Sequence, residues 1–192
     1  MKLLPLLEEI RACDHCARSL PLGSRPIVRA GAKARIIVIG QAPGARVHET
    51  GVPWDDASGA RLCEWLGVTR ESFLDSGRFA IVPMGFCYPG KAASGDSPPR
   101  PECAPMWHPR LLPLLKVATL TILIGAYSQE RYLGNRRKSS LTETVRAFHE
   151  YAPASFPVPH PSPRNAIWQK KNPWFVRECV PALQERVRNA LA

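Results

Sequence analysis

No apolar run in these 192 residues approaches the roughly 18 needed to cross a bilayer, which excludes a helical membrane span. The opening Met1-Lys2-Leu3-Leu4-Pro5-Leu6-Leu7 is broken by Pro5, Glu8 and Glu9 before an apolar core of signal-peptide length can form. It reads as the start of an amphipathic helix in a soluble, cytoplasmic protein. Internal repeats and low-complexity tracts are absent, and the length suits one domain over 1–192. The phosphate-binding loops are missing too: Gly40-Gln41-Ala42-Pro43-Gly44 has neither a Lys-Ser/Thr ending nor a G-x-G-x-x-G spacing. Acidic residues are few, 16 against 26 Lys and Arg, for a net charge of +10. That balance favours a polyanionic partner, most simply nucleic acid, although solubility alone also accounts for it. Arg136-Arg137-Lys138 and Arg164 with Lys170-Lys171 concentrate the positive charge, and a surface tracking phosphates would bind in a strongly salt-dependent way.

Hydrophobic periodicity predicts a helix over 3–17, with Leu3, Leu6, Leu7 and Ile10 on one face. Arg35-Ile36-Ile37-Val38-Ile39 predicts a strand buried on both faces and ending at Gly40. Further strands are predicted at 79–82 and 120–125, and an extended piece at 156–159. Helices are predicted at 58–66, 105–115, 126–133, 141–151 and 172–190, with Pro109 and Pro113 distorting or dividing 105–115 and Pro181 kinking the last. The segment 84–102 reads as a Pro/Gly-rich loop. Strands alternating with helices predict a parallel sheet between helical layers. The loops at Gly40, Met84 and His160 all follow strands, where such sheets place their chemistry.

Cys13 and Cys16 form a C-x2-C pair, and Cys87 and Cys103 flank the Pro/Gly-rich loop. In a reducing cytosol six cysteines argue for ligands or buried thiols rather than disulfides. Two remote half-sites supplying two thiolates each suggest one metal or iron–sulfur centre, with inert thiols as the bland alternative; softness of the donors does not separate zinc from iron–sulfur. Cys63 and Cys179 sit in amphipathic helices and read as buried apolar residues. The Gly40–Gly44 turn can point backbone N–H groups at a carbonyl or a developing anion, or be an ordinary strand-to-loop turn. In the loop that follows, His48, Glu49, Asp55 and Asp56 concentrate polar groups around Trp54. Trp54 could stack on a planar base or pack in the core, and Asp56 or Ser58 could cap the next helix. Pro159-His160-Pro161-Ser162-Pro163-Arg164-Asn165 clamps a histidine between prolines, with Arg164 at the tip able to reach a duplex or a phosphate.

Together these residues resemble the uracil-DNA glycosylase superfamily, and most closely its iron–sulfur branch, family 4, over Cys13 to about Asn165. That branch has an N-terminal C-x2-C with two later cysteines, a first motif beginning Gly-Glu-Ala-Pro-Gly and reaching Gly-x-Pro-Phe and a further glycine, and a second motif His-Pro-Ser. Here Gly40 to Gly44, Gly51, Pro53, Trp54 and Gly59 keep the first register, and His160-Pro161-Ser162 matches the second. Gln41 stands where the family has a glutamate, Val47 and His48 replace an acidic pair, Trp54 replaces a stacking Phe, and Pro83 takes the place of an asparagine that reads uracil.

The resemblance implies a three-layer α/β/α sandwich with a central, mainly parallel four-stranded sheet. It further implies a monomeric, nucleoid-associated DNA glycosylase of base-excision repair. Cys13, Cys16, Cys87 and Cys103 would hold a [4Fe-4S] cluster, with zinc as the alternative. His160 would donate to the departing base, helped by backbone N–H groups near Gln41 and Ala42. Trp54 and Pro83 would line the base site, and His48, Glu49 or Asp55 would orient water. Ser162, Arg164 and Asn165 would contact DNA. The absent glutamate and asparagine favour the competing expectation, a binding module that holds DNA or a base without excising it.

Overall fold

Ile36–Ile39 forms β1, and all four of its side chains are buried because the strand is covered on both faces. The computed structural model describes residues 2–93 and 95–192. Phe79–Ile81 forms β2, Leu120–Ile124 forms β5 and Ser155–Val158 forms β6. These four strands make one sheet in the order β2-β1-β5-β6, every pairing parallel, with Ile36 opposite Phe79 on one side and Leu120 on the other. The predicted sheet is therefore present and wholly parallel. Two short strands, β3 (Lys91–Ala92) and β4 (Gly95–Asp96), pair antiparallel as a separate hairpin.

Successive side chains of β1 point to opposite faces, and the core divides accordingly. Ile36 and Val38 pack with α3 (Ala57–Leu66), α4 (Arg70–Leu74) and α9 (Val180–Leu191). Ile37 and Ile39 pack with α1 (Leu3–Arg11), α5 (Cys103–Leu111) and α6 (Ala126–Leu133). Helices on both faces of a parallel sheet make the α/β/α sandwich. The outer edge of β2 is not bare: Arg29 and Ile81 exchange backbone hydrogen bonds at 3.1 and 2.6 Å, so the chain before β1 covers that edge and brings Ile27 toward the cavity.

Several elements depart from the sequence expectation. The first helix stops at Arg11 rather than residue 17, and the C-x2-C pair lies in the non-helical stretch between it and a 3-10 segment, Ala17–Ser19. Residues expected as loop form α2 (Ala45–Thr50), and α8 (Ala166–Lys171) fills the gap before the last helix. Helix α5 begins two residues early and ends at a 3-10 turn, Leu112–Leu114, that contains Pro113. The segment 141–151 is split into α7 (Leu141–Arg146) and a 3-10 turn, Phe148–Tyr151. Near the C-terminus a wide π-turn, Phe175–Cys179, precedes α9, which places Pro181 in a first turn where its missing N–H costs nothing. Among the described residues no helix is long and apolar enough to cross a membrane.

Candidate active site

The ends of β1, β2 and β6 converge, as the strand-end loops of an open parallel sheet do. A cavity of about 210 Å³ opens there, lined by the Gly40–Gly44 turn, Trp54, Pro83, Asp96 and His160 among others. At about 30 Å³ per liquid water this is room for roughly seven waters, enough to admit a planar heterocycle.

Trp54 forms one wall. Its ring lies against Gly40, where an added Cβ would sit 2.8 Å from Cζ2, so glycine at 40 makes room for it. The ring also faces the His160 imidazole, with centroids 5.8 Å apart and planes tilted by 32°. Trp54 has φ of 56°, the left-handed region that a bulky residue rarely adopts. Arg70 holds it there: its Nη1 donates to the Trp54 carbonyl at 2.7 Å, and its Nη2 pairs with Asp55 Oδ1 at 3.3 Å. Gly59 is required beside it, since a Cβ would run into the Trp54 carbonyl oxygen. Arg70 and Gly59 are thus the supports of the aromatic wall. Neither was singled out for that role from sequence, because the contact joins an unpredicted helix, α4, to the loop.

His160 is fixed on both sides. The Ser162 N–H donates to its Nδ1 at 3.2 Å, and Asn165 Nδ2 donates to its carbonyl at 2.7 Å. An Nδ1 that accepts assigns the ring proton of the neutral form to Nε2. Burial holds the His160 pKa below its ordinary value, with Asp56 and Asp96 pulling weakly the other way. The imidazole is therefore a neutral donor near pH 7. A Cβ added at Gly125, which follows β5 with φ of 81°, would lie 3.8 Å from His160 Cβ.

The residues singled out from sequence separate into two groups. Gln41, Ala42, Trp54, Pro83, His160, Ser162 and Arg164 line the cavity. His48, Glu49, Asp55 and Asn165 do not. His48 and Glu49 ride on α2, whose last carbonyls are capped by Arg25 Nη1 at 2.6 and 2.8 Å. The His48 ring turns toward Tyr88, centroids 6.2 Å apart. Asp55 is engaged by Arg46 at 3.6 Å and Arg70 at 3.3 Å. Gln41 is a brace: its Nε2 donates to the Ser97 carbonyl at 3.2 Å. Pro83 offers no side-chain donor, and its carbonyl is taken by the buried His108 Nε2 at 3.0 Å. Asp56 lines the cavity and caps α3, accepting from the Gly59 N–H at 2.8 Å. Asp96 is the charged cavity residue that sequence reasoning missed. It sits in a hairpin that strand patterning could not detect in two-residue strands.

The four cysteines lie on a neighbouring face. Cys13, Cys16, Cys87 and Cys103 line one small cavity of about 20 Å³. The turn after α1, the segment after Phe86 and the start of α5 bring them there. Glu9 on α1 and Arg110 on α5 pair at 2.5 Å, tying the two helices together. Burial raises the Cys87 pKa and pushes Cys103 up to about 12, although the Phe86 N–H donates to Cys103 Sγ at 3.3 Å. The other thiols of the group add to both shifts. Among the described residues no group of three or more His, Cys, Asp or Glu side chains is arranged to hold a single metal ion. Four half-buried thiols lining one cavity are nevertheless a donor set that suits a cationic centre, because such a centre draws off thiol protons.

Comparison with known families gives one match of direct bearing: the family model of the Uracil DNA glycosylase superfamily covers residues 28–184.

Proposed function

Because the chain belongs to the uracil DNA glycosylase superfamily, we propose that it is a DNA glycosylase of base-excision repair, hydrolysing the bond between a deaminated base and its deoxyribose. The single observation that carries this reading is the neutral, doubly anchored His160 beside Trp54 on one wall of a cavity with room for one base. The sugar carbon is shielded inside a duplex, so the target nucleotide must first leave the stack. Trp54, already held at its unfavourable φ by Arg70, meets the flipped base as a preformed platform. As the glycosidic bond breaks, the base leaves with negative charge. The His160 Nε2–H and the backbone N–H groups near Gln41 and Ala42 stabilise that charge; one donor of this kind lowers the barrier by about 3–4 kcal/mol. Arg164, exposed at the mouth of the cavity, meets the phosphate beside the flipped nucleotide.

Within the superfamily we assign the chain to the iron–sulfur branch. Cys13, Cys16, Cys87 and Cys103 would hold a [4Fe-4S] cluster, with zinc as the alternative. The cluster would supply a structural tie between α1 and the segment from Cys87 to Cys103. Iron and sulfide analysis of anaerobically purified protein separates the two. A brown protein with about four iron per chain supports the cluster, and a colourless protein with one zinc replaces it.

A second reading is favoured by the Gln41 side chain, which is committed to Ser97 and has no basic atom. On that reading the protein binds DNA or a base without excising it. Oligonucleotides carrying uracil, hypoxanthine or xanthine, single- and double-stranded, followed by alkali, distinguish the two. Strand cleavage supports the glycosylase. A gel shift without cleavage selects the binding module.

A further inference from the structure

Hydrolysis at the sugar needs an acceptor that holds water and offsets the positive charge developing there. The Gly40–Gly44 turn provides no charged one: Gln41, which donates its Nε2–H to Ser97, has only a neutral amide oxygen to offer, and Ala42 and Pro43 have no polar side-chain atom. Glu49 and Asp55 lie outside the cavity, and Asp55 is ion-paired. Two carboxylates do line it, Asp56 and Asp96. They converge on Gly44, where an added Cβ would lie 3.6 Å from Asp96 Oδ2 and 3.8 Å from Asp56 Oδ2. The cavity therefore has an aromatic wall, formed by Gly40, Trp54 and His160, and a carboxylate wall at Gly44.

The two carboxylates differ in what else they do. Asp56 caps α3 through Oδ1. The Asp96 side chain makes no hydrogen bond or ion pair with any described residue. Its backbone, by contrast, is fixed. Asp96 pairs with Lys91 across the hairpin, and the next residue, Ser97, donates its N–H to the Gly90 carbonyl at 2.8 Å while its own carbonyl receives the Gln41 amide. The side chain standing where the family has its glutamate thus braces a segment that brings another acid to the same cavity. A free carboxylate on a braced backbone, lining a cavity with a histidine donor, has the placement that water activation requires.

We propose that Asp96 is a catalytic residue of the excision reaction, holding the attacking water and stabilising the cationic sugar. This rests on the glycosylase reading above. In the step, the C1′–N bond breaks with its electron pair going to the base. The water oxygen bonds to C1′, and the proton it loses passes to the Asp96 carboxylate and then to solvent. The base anion, held by His160, takes its proton from solvent.

The test is steady-state kinetics of Asp96→Asn and Asp96→Glu on a single-stranded oligonucleotide carrying whichever of uracil, hypoxanthine or xanthine the wild type releases. The expected result is a kcat about 100-fold or more lower in Asp96→Asn, with KM unchanged or lower, and recovery of about tenfold or more in Asp96→Glu. A carboxylate that merely repels the phosphate backbone gives the opposite pattern. Its removal lowers KM and leaves kcat at the wild-type value, and that result overturns the proposal while leaving the glycosylase reading intact. A wild-type protein that releases none of the three bases overturns both.

Discussion

His108, which bonds the cavity residue Pro83 from behind, is expected to make the protein acid-sensitive. The residue is 1 % exposed on α5. Its Nε2 reaches the Pro83 carbonyl at 3.0 Å, and its Nδ1 meets the Tyr132 hydroxyl. Burial lowers its pKa from 6.5 to about 4, only partly opposed by the bond to Pro83. The unfolded chain therefore binds a proton at a pH where the folded protein does not, and stability falls as pH drops from 6.5 toward 4. A gap of about 2.5 pH units at about 1.4 kcal/mol each makes the full loss roughly 3 kcal/mol, of which about 2 kcal/mol is gone by pH 5.

The perturbation that isolates this group is His108→Gln. Its amide can still donate toward Pro83 and accept from Tyr132, but it does not titrate. Urea unfolding at pH 7.5 and pH 5 is expected to show the wild type losing about 2 kcal/mol more than the variant over that interval. In the folded wild type the His108 ring resonances should titrate far below pH 6. Parallel acid losses in the two proteins, or a His108 midpoint at or above pH 6, would refute the reasoning.

Two further outcomes follow from the cavity's supports. Gly59→Ala should destabilise the protein by about 1–3 kcal/mol, because the new Cβ meets the Trp54 backbone; thermal unfolding checks this, and an unchanged midpoint contradicts the contact. Arg164→Ala should weaken DNA binding and flatten its salt dependence by about one unit of log–log slope; fluorescence anisotropy across a salt series checks both, and an unaltered slope places Arg164 away from the phosphates.

The strands were legible because β1, β2 and β5 are short apolar runs followed by Gly40, Pro83 and Gly125, and a parallel sheet covered on both faces leaves no other pattern. The proline clamp of His160 was legible for a similar reason, since its stiffness is written in three prolines, Pro159, Pro161 and Pro163. What the sequence hid was local geometry set at a distance. Residues 45–50 look like loop, yet Arg25, twenty-three positions before His48, caps that turn as helix α2 and carries His48 and Glu49 off the cavity. Asp55 and Asp56 are equivalent in sequence. Only Arg46 and Arg70, which claim Asp55, decide that Asp56 faces inward. Asp96 was invisible because a two-residue strand has no periodicity, and its approach depends on a bond between Gln41 and Ser97 across 56 positions.

The central claim is that a neutral His160 stabilises a departing nucleobase in this cavity. Single-turnover excision by wild type and His160→Ala, on the same single-stranded oligonucleotide and with equal cofactor content, tests it most directly. The account predicts a rate lower by about 100- to 1,000-fold in the variant with DNA affinity retained. A variant that releases the base within twofold of the wild-type rate would contradict it.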